Sequence, residues 1–296
     1  MSLPSRYPDL PLPLRPRLEL PGGARLAFWV VVNHELYEFA APTDQPRAAW
    51  PRVAPDVRAF GHRDYGNRAG VQRTIAALDR LGIRGALSLN VAAVEQMPEV
   101  TTACNERGWE VLSHGYSNSR FALGLDERAE RELIERCIEG IERVTGRSPA
   151  GWMGPSLTAT QHTFDLLAEY GFLYSLDLFH DDQPFPVRVP RGRLISVPYT
   201  VEVNDILVYA HASPEAFGRM IRDQFDVLYE EGAESARVMC VALHPFLVGQ
   251  PHRIRAFEEA VAYVLSHEGV WATTGEEIAQ WYYARHYDEV SAAAGL

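Results

Sequence analysis

The sequence is poor in cysteine, and its three cysteines, Cys104, Cys137 and Cys240, lie far apart with no CxxC spacing. An odd number of widely spaced cysteines excludes a disulfide framework and a cysteine zinc site, and it indicates a reducing compartment. The chain also lacks the run of ~18 apolar residues that a membrane span needs. Its proline-rich N-terminus has no apolar core typical of a signal peptide. We therefore expect a soluble, cytoplasmic protein.

Basic residues are scarce as well: 28 Lys and Arg against 39 Asp and Glu give a net charge of −11. This charge repels nucleic acid and anionic membrane surfaces, so neither is expected as a partner. No GxGxxG or GxxxxGK[ST] motif follows the first apolar run, and a nucleotide-phosphate site therefore has no support. The 47% hydrophobic and 23% charged residues are ordinary for a globular protein.

Short apolar runs alternate with amphipathic segments along most of the chain. The runs cover residues 26–32, 86–89, 110–113, 172–176, 194–197, 239–243 and 270–273, with a weaker one at 151–153. This alternation predicts βα units, and we expect a single-domain α/β fold, an irregular (β/α) barrel of seven or eight parallel strands at residues 26–286. An open doubly wound sheet is the competing fold. A proline-rich arm at 1–25, lying on the body or on a neighbouring subunit, precedes the barrel, and a frayed tail at 287–296 follows it.

Ionisable residues follow the predicted strands, where the active site of a parallel barrel forms. The strongest set is Glu35, His114, Asp177 and His244; Asn90, Asp181, Tyr199, Asn204, Asp205 and Thr274 also follow strands. A carboxylate can take a proton from water, and an imidazole can protonate a leaving nitrogen. Asn90 and Thr274 are better explained as helix N-caps.

The motifs SHGYSNS, GWMGP, YSLDLFHDDQPF and LHPFLVGQPHR, in this order after Glu35, carry a resemblance. The sequence resembles the polysaccharide deacetylase (NodB-homology) superfamily, within it the branch of metal-independent allantoinases and cyclic amide or imide hydrolases. The resemblance implies an irregular (β/α) barrel that hydrolyses non-peptide C–N bonds. It makes Glu35 the base and His244 the acid, with Asp177 or Asp181 holding His244.

The metal-binding half of the superfamily pattern is largely missing. The position of one metal-ligating acid is Leu36, and the second ligand histidine, four residues after His114, is Asn118. A metal-free site, with no cofactor, is therefore favoured. The alternative is a divalent metal such as zinc held by His34, Glu35 and His114, although strand alternation places His34 and Glu35 on opposite faces.

The expected function is ring opening of a small cyclic amide, allantoin-like ureide or imide. Oxyanion stabilisation would come from backbone N–H groups, Asn118 or His114. The predicted substrate-binding residues are His114, Asn118, Trp152, Pro155, Asp181, Tyr199 and Arg63. The aromatic residues suit packing equally well, and an Arg–Asp pair among Arg63, Asp64 and Arg68 that fixes their loop is an equal alternative to substrate binding by an arginine there. The alternatives are a metal-dependent saccharide N-deacetylase and an inactive member that acts as a binding or assembly subunit. The arm and the resemblance also suggest a homo-oligomer.

Overall fold

The structure, a computed structural model, describes residues 6–40 and 55–296. Within these residues nine strands form one sheet: β1 (Leu26–His34), β2 (Ala86–Leu89), β3 (Glu110–Ser113), β4 (Gly151–Trp152), β5 (Tyr174–Ser175), β6 (Phe185–Val187), β7 (Leu194–Ser196), β8 (Arg237–Leu243) and β9 (Val270–Ala272). Every predicted strand is present, although the fifth is shorter than expected. β6 was not predicted, because Pro186 at its centre is unfavourable except at a sheet edge, which is where β6 lies.

The strands run in the order β6-β7-β5-β4-β3-β2-β1-β8, and β9 pairs with the first part of β1. All pairs are parallel except β6 with β7. The sheet curls without closing between β8 and β7. There the N–H of Val238 donates to the carbonyl of Asp182, and that of Ala242 to the carbonyl of Val203. The expected (β/α) barrel is confirmed as a curled, open version.

Most helices cover the outer face of the sheet, and the last two pack against the inner core. The helices are α1 (Val57–Tyr65), α2 (Val71–Leu81), α3 (Val91–Gln96), α4 (Pro98–Glu106), α5 (Glu127–Thr145), α6 (Thr163–Glu169), α7 (Asp205–Val208), α8 (Pro214–Glu231), α9 (Ile254–Leu265), α10 (Gly275–Arg285) and α11 (Tyr287–Ala293). One π-helical turn, Gly66–Gly70, joins α1 to α2. Among the described residues, no helix is both long and apolar enough to cross a lipid bilayer.

Alternation along β1 separates two cores. Phe28 and Val30 pack outward against the helices, whereas Trp29 and Val31 pack inside the barrel with residues of the other strands. The same alternation turns Asn33 inward, where its side-chain amide donates to the Tyr199 hydroxyl. Continued for two residues, it turns Glu35 into the mouth of the barrel.

The two ends of the chain are held by the barrel. In the described part of the arm, Leu18 and Leu20 are buried in the inner core, and Arg15 forms an ion pair with Asp181. The arm thus lies on its own barrel, while the homo-oligomer stays a prediction. The prediction of a frayed tail was wrong, because α11 spans most of it and buries Val290. Four prolines also predict an irregular stretch over residues 40–64. Positions 41–54 of it lie outside the described residues, and its end belongs to α1.

Candidate active site

The carboxyl ends of the parallel strands bring a small set of polar side chains together. Glu35 follows β1, His114 follows β3 and His244 follows β8, and all three are nearly fully buried. The Nε2 atoms of His114 and His244 each lie 3.4 Å from Oε1 of Glu35. The structure therefore assembles the Glu35, His114 and His244 part of the predicted set around one carboxylate oxygen.

The other oxygen of Glu35 is held by a residue that was not predicted. The hydroxyl of Tyr37 donates to Oε2 of Glu35 at 2.5 Å. Burial alone would raise the pKa of Glu35, but the charge of His244 and the hydrogen bonds from His114 and His244 hold that pKa well below its usual range. Glu35 is thus an ionised carboxylate in the free protein. The sequence does hold a sign of this contact: Tyr37 lies two residues after Glu35, and side chains two residues apart in an extended segment point to the same side.

His244 is held by Asp205, which corrects the assignment to Asp177 or Asp181. Its Nδ1 lies 2.8 Å from Oδ1 of Asp205, whose carboxylate also accepts the backbone N–H groups of His244 and Val248. Burial opposes protonation of His244, but the charge of Glu35 and the hydrogen bond that His244 donates to Asp205 raise its pKa to about 10. His244 is therefore a charged imidazolium, able to give a proton from Nε2.

Asp177 and Asp181 have other partners. Oδ1 of Asp177 accepts the backbone N–H of Gly154 at 2.7 Å, and its Oδ2 accepts the Ser175 hydroxyl. Burial raises the pKa of Asp177 to about 7 despite these hydrogen bonds. Asp181 is occupied by Arg15, which anchors the arm. Asp177 thus supports the loop after β4, and neither carboxylate contacts the imidazole of His244.

His114 and Asn118 belong to a hydrogen-bonded web. Nδ1 of His114 lies 3.0 Å from the carbonyl oxygen of Met153, so this nitrogen carries a hydrogen. The amide of Asn118 donates to the Tyr37 hydroxyl at 3.2 Å and accepts from Asn90 at 3.3 Å. Asn90 begins α3 but makes no side-chain cap; instead it accepts the N–H of residue 36 and donates to the carbonyl of His114. The cap interpretation of Asn90 was therefore wrong, whereas Thr274 does cap α10.

The remaining predicted pocket residues divide into two groups. Arg63 lies at the mouth, with its guanidinium 3.9 Å from the centre of the Tyr37 ring. Tyr199 borders a separate cleft of about 530 Å³ at the open side of the barrel, and its hydroxyl is held by Asn33 and Asn204. Trp152 is fully buried against Phe172 and is a core residue, not a pocket residue. Pro155 is buried next to Gly115, the residue after His114.

The residues at the metal position do not fit a metal ion. Leu36 offers no ligand atom and packs in the outer core, and the amide of Asn118 is engaged by Asn90 and Tyr37. His34 faces away from the site, fully buried with both ring nitrogens unpartnered, and burial lowers its pKa to about 4. Across residues 6–40 and 55–296, no three His, Cys, Asp or Glu side chains are arranged to hold a metal. The alternative triad of His34, Glu35 and His114 is therefore not assembled.

Comparison with known proteins identifies the family. Residues 63–175 match the family described as Polysaccharide deacetylase. A curated protein of Schizosaccharomyces pombe named "Putative polysaccharide deacetylase" is 33% identical over 244 residues, which make up 75% of this chain and 75% of the relative. The chain belongs to the polysaccharide deacetylase family.

Solved structures of this family share the whole fold. The crystal structure of PuuE allantoinase has a TM-score of 0.82 and 30% identity, covering 94% of this chain and 99% of that one. A crystal structure described as a probable polysaccharide deacetylase from Pseudomonas aeruginosa PAO1 has a TM-score of 0.81 and 30% identity, covering 92% and 95% of the two chains. The polysaccharide deacetylase and allantoinase likeness makes this a hydrolase family that acts on C–N bonds.

Proposed function

We propose that this family member opens the ring of a small cyclic amide, ureide or imide without a metal ion. One observation carries the proposal: the buried side chains of His244 and Glu35 face each other at 3.4 Å, beside Leu36 and Asn118, which replace two of the expected metal ligands. The likeness to PuuE allantoinase supports the ring substrate. A ring amide suits such a site because strain and a good leaving group lower the barrier that a metal would otherwise reduce.

The proton transfers follow from the two partners of His244. A water molecule against Glu35 loses a proton to the carboxylate while its oxygen attacks the ring carbonyl carbon. The C–N bond then breaks, and Nε2 of His244 gives its proton to the departing nitrogen. Because Oε1 of Glu35 and Nε2 of His244 face each other at 3.4 Å, the proton taken from water can pass to His244 and reset the site. The net change is the addition of one water.

The low pKa of Glu35 makes it a weak base in the free protein, and substrate binding has to change this. Its contacts with His114 and His244 are 3.4 Å long, well beyond an optimal charge-assisted hydrogen bond. A substrate oxygen that accepts the Nε2–H of His244 would release the carboxylate at little cost. The same N–H group would then stabilise the oxyanion, and His114, whose Nδ1 hydrogen is bonded to Met153, can add a second donor only as an imidazolium with a hydrogen on Nε2. The side-chain amide nitrogen of Asn118 has two hydrogens and gives one of them to Tyr37, so the other can also donate to the oxyanion.

The test is a hydrolysis survey of allantoin, hydantoin, succinimide and chito-oligosaccharides, each with and without a strong chelator. We expect chelator-resistant ring opening that falls by roughly 10²–10⁴ in Glu35→Gln, the usual contribution of a general base. Glu38→Gln is the matched control, because Glu38 lies three residues on and pairs with Arg120 outside this site. Its activity should stay within about threefold of the wild type, as for most surface changes.

Other outcomes would favour the alternatives. Curated relatives include a peptidoglycan deacetylase of Helicobacter pylori, 26% identical over 66% of this chain and 77% of its own length. Chelator-sensitive release of acetate from the chito-oligosaccharides would therefore overturn the ring-opening proposal in favour of a deacetylase. A chain that binds these compounds but turns over none would be an inactive binding subunit.

A further inference from the structure

An arginine that has no acidic partner among the described residues lies at the mouth of the site. Arg63, on α1, places its guanidinium 3.9 Å from the centre of the Tyr37 ring, and the hydroxyl of that ring donates to Glu35 at 2.5 Å. The guanidinium is thus only one side chain away from the proposed base.

The hydrogen-bonding groups of Arg63 are unused in the described part of the chain. Over residues 6–40 and 55–296, no carboxylate or carbonyl accepts from its guanidinium; the neighbouring Asp64 binds Arg68 instead. The alternative of a loop-fixing Arg–Asp pair is met by Asp64 and Arg68, and this pair does not include Arg63. Other half-buried arginines, such as Arg15 and Arg73, do have oxygen partners. A half-buried guanidinium with five free N–H donors is a ready site for an anion.

Two further arginines, Arg58 and Arg253, lie near the same opening, around His62. The ring of His62 lies 5.3 Å from that of Phe246, which in turn lies 5.7 Å from the ring of His244. Burial and then the nearby charges of Arg253, Arg63 and Arg58 lower the pKa of His62. The chain as a whole carries a net charge of −11, which repels anions. A cationic rim at the mouth of such a protein draws an anionic substrate to this one place.

We propose that the substrate is a cyclic amide, ureide or imide that carries a carboxylate, and that Arg63 binds this carboxylate bidentately while the scissile carbonyl lies between Glu35 and His244. This inference rests on the proposed function and names its substrate class. A single guanidinium can bind a carboxylate or a phosphate bidentately, and the surroundings favour a carboxylate. A phosphate is usually held by backbone N–H groups at a glycine-rich loop or helix N-terminus, which the motifs here do not provide.

The test compares two rings of similar size that differ in charge, hydantoin-5-acetate and 5-methylhydantoin. Losing a charge-assisted bidentate contact costs about 1.5–3 kcal/mol, which is roughly a 10–100-fold loss. We expect Arg63→Gln to lower kcat/KM for hydantoin-5-acetate by that factor, mainly through a higher KM. For 5-methylhydantoin the change should stay within about threefold, as for a contact that this substrate does not make. Arg68→Gln, on the same segment, is the matched control and should change neither.

Two results would overturn the inference. The first is that the wild-type protein has the same kcat/KM for both rings. The second is that Arg63→Gln lowers kcat/KM for both rings by the same factor, which would place Arg63 in a general structural role. Calorimetric binding of hydantoin-5-acetate to Glu35→Gln, with and without Arg63→Gln, separates this inference from the proposed function. Arg63-dependent binding with no wild-type ring opening would support the anion site and overturn the function. Absence of saturable binding would overturn the anion site.

Discussion

The ion pair between Asp205 and His244 allows a direct test of the site. Replacing Asp205 by Asn keeps the shape of the side chain but removes the charge 2.8 Å from Nδ1 of His244. An opposite charge at this distance typically shifts a pKa by about 1–3 units. We therefore expect the pKa of His244, raised to about 10 in the wild type, to fall by about that amount in Asp205→Asn.

The same change should destabilise the protein in a pH-dependent way. Breaking a buried ion pair by removing one partner typically costs about 3–5 kcal/mol. Because the folded-state pKa of His244 is raised from 6.5 to about 10, its stabilising contribution is complete below pH 6.5 and is lost as the pH rises towards 10. The difference in unfolding free energy between wild type and Asp205→Asn should therefore be largest near pH 6.5 and shrink as the pH rises towards 10.

The assay is histidine NMR titration combined with urea unfolding at several pH values. A His244→Gln variant assigns the resonance, and Asp177→Asn is the control, because Asp177 contacts Gly154 and Ser175 and not the imidazole. A wild-type His244 that titrates near its ordinary value would refute the reasoning. An equal shift in Asp177→Asn would restore the carboxylate that the sequence motif suggested.

Three further predictions follow from single contacts. Tyr37→Phe removes the hydrogen bond to Oε2 of Glu35, so the acidic limb of the kcat/KM profile should move up by about 1–2 pH units; an unmoved limb would show that Tyr37 does not tune Glu35. Gly70→Ala should cost about 1–3 kcal/mol in thermal or urea unfolding, because a Cβ there would overlap a backbone carbonyl oxygen of the facing loop, whereas Gly61→Ala, with open space, should be neutral. Burial raises the pKa of Glu110 to about 7, so ionising it costs stability as the pH rises from 4.5 through 7; Glu110→Gln should flatten that loss in pH-dependent unfolding, and an unchanged slope would contradict the raised pKa.

The sequence predicts the strands of this fold well because their apolar runs are short, separate and regularly spaced. It does not predict β6, whose Pro186 is acceptable only because the strand lies at the edge of the sheet. It also misses that the sheet stays open beside β8. The sheet stays open there because the backbone carbonyls of residues 182 and 203 accept the N–H groups along the edge of β8. This is a tertiary contact, and no local sequence pattern predicts it.

The site shows the same division between local and tertiary information. Glu35, His114 and His244 could be found because each directly follows a strand, and the ends of parallel strands meet. The partner of His244 could not be chosen, since Asp177, Asp181 and Asp205 all follow strands too. What decides the partner is a tertiary contact: Asn204 pairs with Ala242 of β8. This pairing brings Asp205, the residue after Asn204, to the imidazole of His244, which lies two residues after Ala242.

The hydrogen-bonded web shows how this chain can hold its carboxylate without a metal. Since Asn118 donates to the Tyr37 oxygen, the single hydroxyl hydrogen of Tyr37 is left for Glu35. Asn90 fixes the orientation of the Asn118 amide by donating to its oxygen, so the web has one direction from Asn90 to Glu35. The substitution of a ligand histidine by Asn118 is therefore part of a coherent alternative. The amide serves to fix one oxygen of Glu35 and leaves the other for the imidazoles and the reacting water.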